Sequence, residues 1–234
     1  MDGWSSAAPV GRTRTAEFMA SVYRWMAFGL ALTGIVAYAI TSSPGIASLL
    51  YRFEDGRIVG STGVMWIAVI VWFLLAVAFT PVALRASIGA AVGMFLAYCA
   101  LSGVVFSSVV FQYTGASIGS TLFVTGGAFL GLSIYGTVTK RNLDAWRSFL
   151  FIGLVGVILA SVVNIFLRSN AVEFVMSCAG VVIFAGLTAY DTQKLRQLGE
   201  QGEERHALVG ALALYLDFVN LFLFLLRFMG RRRD

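Results

Sequence analysis

Two carboxylates stand where the chain offers them little solvent. Asp217 lies in the middle of "ALVGALALYLDFVNLFLFLLRF", residues 207–228, and Asp191 closes the apolar run that ends in "GLTAYDTQKLRQLGE". An ionised aspartate at the centre of a membrane helix costs about 2.5–3.5 kcal/mol on insertion scales, so a partner must offset the charge or a proton must neutralise it. Asp217 follows His206 by eleven residues, roughly 16 Å into a helix that begins there. The run bearing Asp191 comes immediately before, and one loop joins the two. Consecutive spans run antiparallel, so the carboxylates can approach if the earlier helix stays buried as far as Asp191. A poorly hydrated pair of this kind shares a proton and titrates in coupled steps. Deprotonated, it offers oxygen ligands to a hard cation such as Ca²⁺. Asp191 and Asp217 are thus a candidate proton sensor, ion pathway and transient Ca²⁺ contact. The alternative is a single protonated Asp217 bonded to a neighbouring helix.

Other polar groups are weaker candidates. Gly210, Ala213, Asp217 and Asn220 follow one another at three- and four-residue steps, a small and polar stripe on one helix face. Asn164 is the other conspicuous polar group inside an apolar run, and its expected role is a helix–helix hydrogen bond. His206, the only histidine, sits between the "GEER" cluster and the last run, as a loop residue able to modulate behaviour near neutral pH. Glu173 lies eighteen residues before Asp191, at the opposite membrane face. Cys99 and Cys178 fall inside apolar runs without metal-ligand spacing and read as packing residues.

These side chains must be positioned by membrane helices. Of 234 residues, 59% are hydrophobic and 12% charged, against about 25% charged in soluble domains. Seven apolar runs, near 25–41, 64–84, 87–110, 117–139, 146–167, 171–190 and 207–226, each match an apolar layer of about 30 Å. They lack the period-two alternation of a membrane barrel. The fold class is therefore an all-α integral membrane protein, a seven-helix transmembrane bundle. Residues 1–24 are expected as a polar N-terminal segment, 25–228 as the membrane domain and 229–234 as a basic tail. No A-x-A-like cleavage site closes the first run, so it reads as a retained helix. Separators such as "TSSPG" and "YRFEDGRIVGSTG" carry turn chemistry. Gly89 with Gly93, and Gly127 with Gly131, are spaced for close helix packing. The net charge of +5 comes from basic residues in short loops and tails, which suits a lipid surface and not nucleic acid. Ten basic residues fall inside if the N-terminus is cytoplasmic and seven fall outside. A re-entrant last segment would sharpen that bias, whereas its length argues for a full span.

"AYDTQKLRQLGE" followed by "ALALYLDFVNLFLFLLRFMG" resembles the C-terminal signature of the Bax inhibitor (transmembrane Bax-inhibitor-motif) family, in its short bacterial form. The resemblance implies a bundle whose last helix is central, wrapped by two three-helix layers, in the bacterial inner membrane. It implies a pH-sensitive calcium leak channel gated by two aspartates, which match Asp191 and Asp217. A basic residue between the second and third helices pairs with the first aspartate in that family, and Arg85 in "TPVALRASIG" is the nearest match. A second latch joins an arginine near the end of the last helix, here Arg227, to an acid of the second helix. No acid stands in the second run; Glu54 or Asp55 in the preceding loop is the available substitute. Some bacterial relatives instead bind and modulate a membrane-bound AAA protease, which makes a non-conducting regulator the main alternative.

Paired aspartates on adjacent membrane helices also occur in intramembrane proteases. Tyr190–Asp191 matches the "YD" setting, but "LYLD" lacks the glycines that let a substrate backbone approach, and no proline follows Asp217. Catalysis is therefore not expected. No Gly-rich phosphate loop, haem pair or zinc cluster is visible, and no cofactor is expected.

Overall fold

A computed structural model describes residues 10–55, 57–199 and 204–233. Helix α1 (Val10–Thr41) is followed by the short α2 (Pro44–Leu50) and by a hairpin of β1 (Tyr51–Glu54) and β2 (Arg57–Ser61). Then come α3 (Gly63–Ala83), α4 (Ile88–Gln112) and α5 (Gly115–Val138). A 3-10 turn at Leu143–Trp146 leads into α6 (Arg147–Leu167), α7 (Asn170–Leu198) and α8 (Glu204–Met229). Among the described residues, the seven longer helices are long and apolar enough to cross a membrane.

Local chemistry sets most of the starts. Thr62, Ser87, Thr114 and Ser169 each accept a hydrogen bond from the backbone N–H three residues on, capping α3, α4, α5 and α7. Such caps satisfy donors that the first helical turn leaves open, a need made acute by lipid. Helix α6 ends at Arg168 in the left-handed conformation, φ 49°. Asn164 Oδ1 accepts from Ser169 N at 3.0 Å across that turn. Asn164 thus closes its own helix, where a bond to another helix was expected.

Two trios of helices wrap α8. In one, α4 packs on both α1 and α3; in the other, α7 packs on both α5 and α6. Helix α8 touches α1, α3, α4, α5 and α7. Its best apolar stretch is 56% buried, against 33% or less in every other span. The central last helix is therefore the observed arrangement, and its unbroken 26 residues, about 39 Å of helix, favour a full crossing over re-entry.

Three sequence expectations need correcting. The first helix begins at Val10 instead of near residue 25, because Phe18, Met19, Val22 and Met26 form a buried face that packs against α8. The segment "YRFEDGRIVGSTG" is an antiparallel hairpin and not merely a turn, with Tyr51 paired to Ser61 and Glu54 to Arg57. The glycine pairs Gly89/Gly93 and Gly127/Gly131 have nothing within 4 Å of an added Cβ. Close approach falls elsewhere: at Gly103 an added Cβ would sit 2.6 Å from Val36 Cβ and 2.7 Å from the Thr33 carbonyl, which is where α4 meets α1.

Candidate functional site

The antiparallel pair α7 and α8 fixes the level of the two aspartates. Leu195 lies against Gly210, and Gly180 lies against the Phe224 ring. Interpolating between those two contacts places Asp191 level with Leu214, three residues and about 4.5 Å of helical rise from Asp217. Asp217 lies at the level of Thr188, a fully buried side chain on α7. Helix α7 does not stop at Asp191; it continues to Leu198, with Thr192, Gln193 and Leu195 buried beyond it. The sixth span is thus buried on both sides of Asp191 in sequence, while Asp191 itself is partly exposed.

The two environments differ. Asp217 is 4% exposed, and its Oδ2 has no hydrogen-bond partner among the described residues. Among the described residues, the charge that acts on it is the carboxylate of Asp191, and the two repel when both are ionised. Asp191 is partly exposed, and Lys194, one turn further along α7, is the positive charge acting on it. One acid is thus enclosed and the other stands at the rim. The pair is joined by repulsion, without a hydrogen bond between the two.

Hydroxyl groups run beside this pair. The buried face of α5 carries Ser117, Thr121, Thr125 and Ser133, interrupted by Phe129. Thr192 of α7 donates to Ser133 Oγ at 3.4 Å, and the Thr121 hydroxyl is buried without a partner. Phe129 packs edge-to-face on Phe218, the neighbour of Asp217, with ring centroids 5.5 Å apart. On the far side of α8, Tyr215 bonds Thr33 at 2.8 Å, while Trp72 donates to Ser102 at 2.8 Å. Sequence reading missed both features. Thr121, Thr125, Phe129 and Ser133 recur at four-residue steps, a signal open to detection.

The remaining candidates are scattered. Arg85 is exposed in the turn between α3 and α4, and no ion pair links it to Asp191 among the described residues. Arg205, in the first turn of α8, donates to the Leu84 carbonyl at 3.2 Å, so that turn is tied to the start of the central helix. His206 lies inside the first turn of α8, half-buried, and not in a loop. Asn220 donates to the Leu216 carbonyl at 2.8 Å on its own helix. Arg227 stacks over Phe224, 5.6 Å from the ring centroid. It faces α6 and α7, away from any acid of the hairpin.

At that same end the chain's tail folds back. Arg231 N donates to Ser117 Oγ at 2.8 Å, Arg233 N to the Gln112 carbonyl at 2.8 Å and Thr114 N to the Arg231 carbonyl at 3.2 Å. Arg232 pairs with Glu173 at 3.0 Å, and hydrogen bonding to Tyr113 raises its pKa further above the ordinary arginine value. The ion pair at this face therefore uses Arg232 and Glu173, two residues that no latch had been assigned to.

The family model described as Inhibitor of apoptosis-promoting Bax1 (Bax1-I) matches residues 15–234. The chain is 42% identical over 232 residues to the Inner membrane protein YbhL of Escherichia coli strain K12, covering 95% of this chain and 94% of that protein. An uncharacterised protein of Caulobacter vibrioides is 40% identical over 233 residues, covering 93% and 90%. Another, from Borreliella burgdorferi, is 40% identical over 225 residues, covering 93% of each chain.

Proposed function

This chain belongs to the Bax inhibitor family, and on that premise we propose that it is an inner-membrane calcium leak whose flux is set by the protonation of Asp191 and Asp217. The observation that carries the reading is the enclosed Asp217 with an unpartnered oxygen, facing the charge of Asp191 across α7 and α8. A carboxylate in lipid without a partner invites a proton or a cation. When the pair shares a proton, its net charge falls and α7 can lie against α8. When both acids ionise, their repulsion is relieved by a cation or by helix movement. No third carboxylate, histidine or thiol joins the pair among the described residues. A passing Ca²⁺ would therefore draw on hydroxyls, carbonyl oxygens and water for its other ligands, which favours transit over retention. The α5 hydroxyls give such an ion a polar wall, and the Phe129–Phe218 pair gives it a constriction. Arg85 serves as a counter-charge to Asp191 in a shifted state, since Arg205 links the start of α8 to the turn that holds it. The chemistry requires no covalent step, and we assign no catalytic residue.

Calcium flux in proteoliposomes, followed across pH, tests the proposal. Asp217→Asn is expected to abolish the pH dependence, and Asp191→Asn to shift it. Flux with an unaltered pH profile in both variants overturns the reading.

A further inference from the structure

A second chemistry sits at the C-terminal end of α8, about three turns from Asp217. A cavity of about 470 Å³ opens between the end of α6, the start of α7 and the last turn of α8. Arg168, Arg227, Asn164 and Asn170 line its polar part, and Ile165 and Met176 its apolar part. Glu173 is also in its wall, but Arg232 pairs with that carboxylate at 3.0 Å. Arg168 and Arg227 have no acidic partner within 4 Å among the described residues. Phe224 holds the Arg227 guanidinium by its face, which leaves the N–H edges available. The first turn of α7, where backbone donors and the helix dipole favour an anion, begins beside them at Asn170. Ile165 and Phe166 on the membrane side of the cavity are largely exposed, so the polar pocket continues into surface that lipid tails must cover.

We propose that this cavity binds the phosphate of an anionic phospholipid, with Arg168 and Arg227 as the paired guanidinium contacts and the acyl chains lying along Ile165 and Phe166. Guanidinium forks match phosphate oxygens in a bidentate way. Basic pockets between membrane helices suit anionic headgroups. The lipid is a better occupant than a soluble anion because one wall of the cavity is apolar and continuous with the bilayer-facing surface. The site is independent of the aspartate pair and does not rest on the leak reading.

The test uses the full chain purified in detergent, with lipid retention read by native mass spectrometry. Dioleoylphosphatidylglycerol is offered beside dioleoylphosphatidylcholine and inorganic phosphate. The left-handed backbone at Arg168 makes glycine the suitable replacement there, so the variant is Arg168→Gly with Arg227→Gln. We expect phosphatidylglycerol to be retained over phosphatidylcholine, with retention falling at least about tenfold in the variant. A control, Arg52→Gln with Arg57→Gln, removes two hairpin arginines and is expected to leave retention unchanged. Equal loss in the control would reduce the effect to general surface charge and overturn the site. Equal occupation by inorganic phosphate overturns the lipid assignment, as does equal retention of both lipids. A thermal melt of each variant confirms that it is folded before retention is compared.

Discussion

At the scale of single residues, Asp217 is the anomaly that organises the rest. Its side chain is enclosed and one oxygen is left without a partner. A buried acceptor without a bond costs about 1–3 kcal/mol, and sites that carry function commonly retain such costs. Asp217→Asn keeps the volume and removes the ionisable charge and its repulsion with Asp191. Thermal unfolding in detergent at neutral pH is expected to give the variant a midpoint at or above that of the wild-type chain. A midpoint several degrees lower would mean that the carboxylate is a structural tie. Asp191 is different: it is partly exposed and Lys194 stands one turn away, so Asp191→Asn is expected to change stability little. The aspartates and their helices were readable from sequence, because a charge inside an apolar run is a strong signal. Their unequal exposure was not, because it depends on how far α7 extends past Asp191 and on what covers it.

At the scale of elements, the spans were legible wherever apolar residues ran for a bilayer's width, and the starts of α3, α4, α5 and α7 coincide with Ser or Thr caps. What the sequence hid was which face of each helix meets another. Small residues at four-residue spacing occur both on lipid-facing surfaces and at contacts, so spacing alone misassigned Gly127 and passed over Gly103. The two positions give a paired prediction. Gly103→Ala drives a methyl group into α1 at Val36 and the Thr33 carbonyl, and the strain is expected to cost about 1–3 kcal/mol. Gly127→Ala meets nothing within 4 Å and gains helix propensity worth up to about 1 kcal/mol. Chemical or thermal unfolding should therefore move in opposite directions for the two; a loss at Gly127 equal to that at Gly103 would contradict the packing described. The hairpin was legible in principle. Asp55–Gly56 between "YRFE" and "RIVGS" is a strong turn dipeptide flanked by alternating residues, but the surrounding apolar spans made the segment look like a plain connection.

At the scale of the whole molecule, two trios enclose one helix, and the tail ties the trios together at one face. Arg231 and Arg233 bind through their backbones to α5 and to the end of α4, while Arg232 reaches Glu173 on α7. The side-chain pair is exposed, with Arg232 at 63%, and exposed pairs contribute about 0–1 kcal/mol. Arg232→Ala is therefore expected to leave the melting temperature nearly unchanged, whereas ending the chain at Gly230 removes the backbone clasp and lowers it measurably. Equal effects would place the tie in the ion pair instead. From sequence, residues 229–234 read only as a basic tail; the fold brings them back onto Ser117 and Gln112. The account as a whole rests on Asp191 and Asp217 acting as one electrostatic unit within this bundle. Infrared titration of the Asp217 carboxyl stretch, compared between the wild-type chain and Asp191→Asn in the same bilayer, tests that most directly. The predicted result is a displaced titration midpoint for Asp217 when Asp191 loses its charge; an unchanged midpoint would contradict the account.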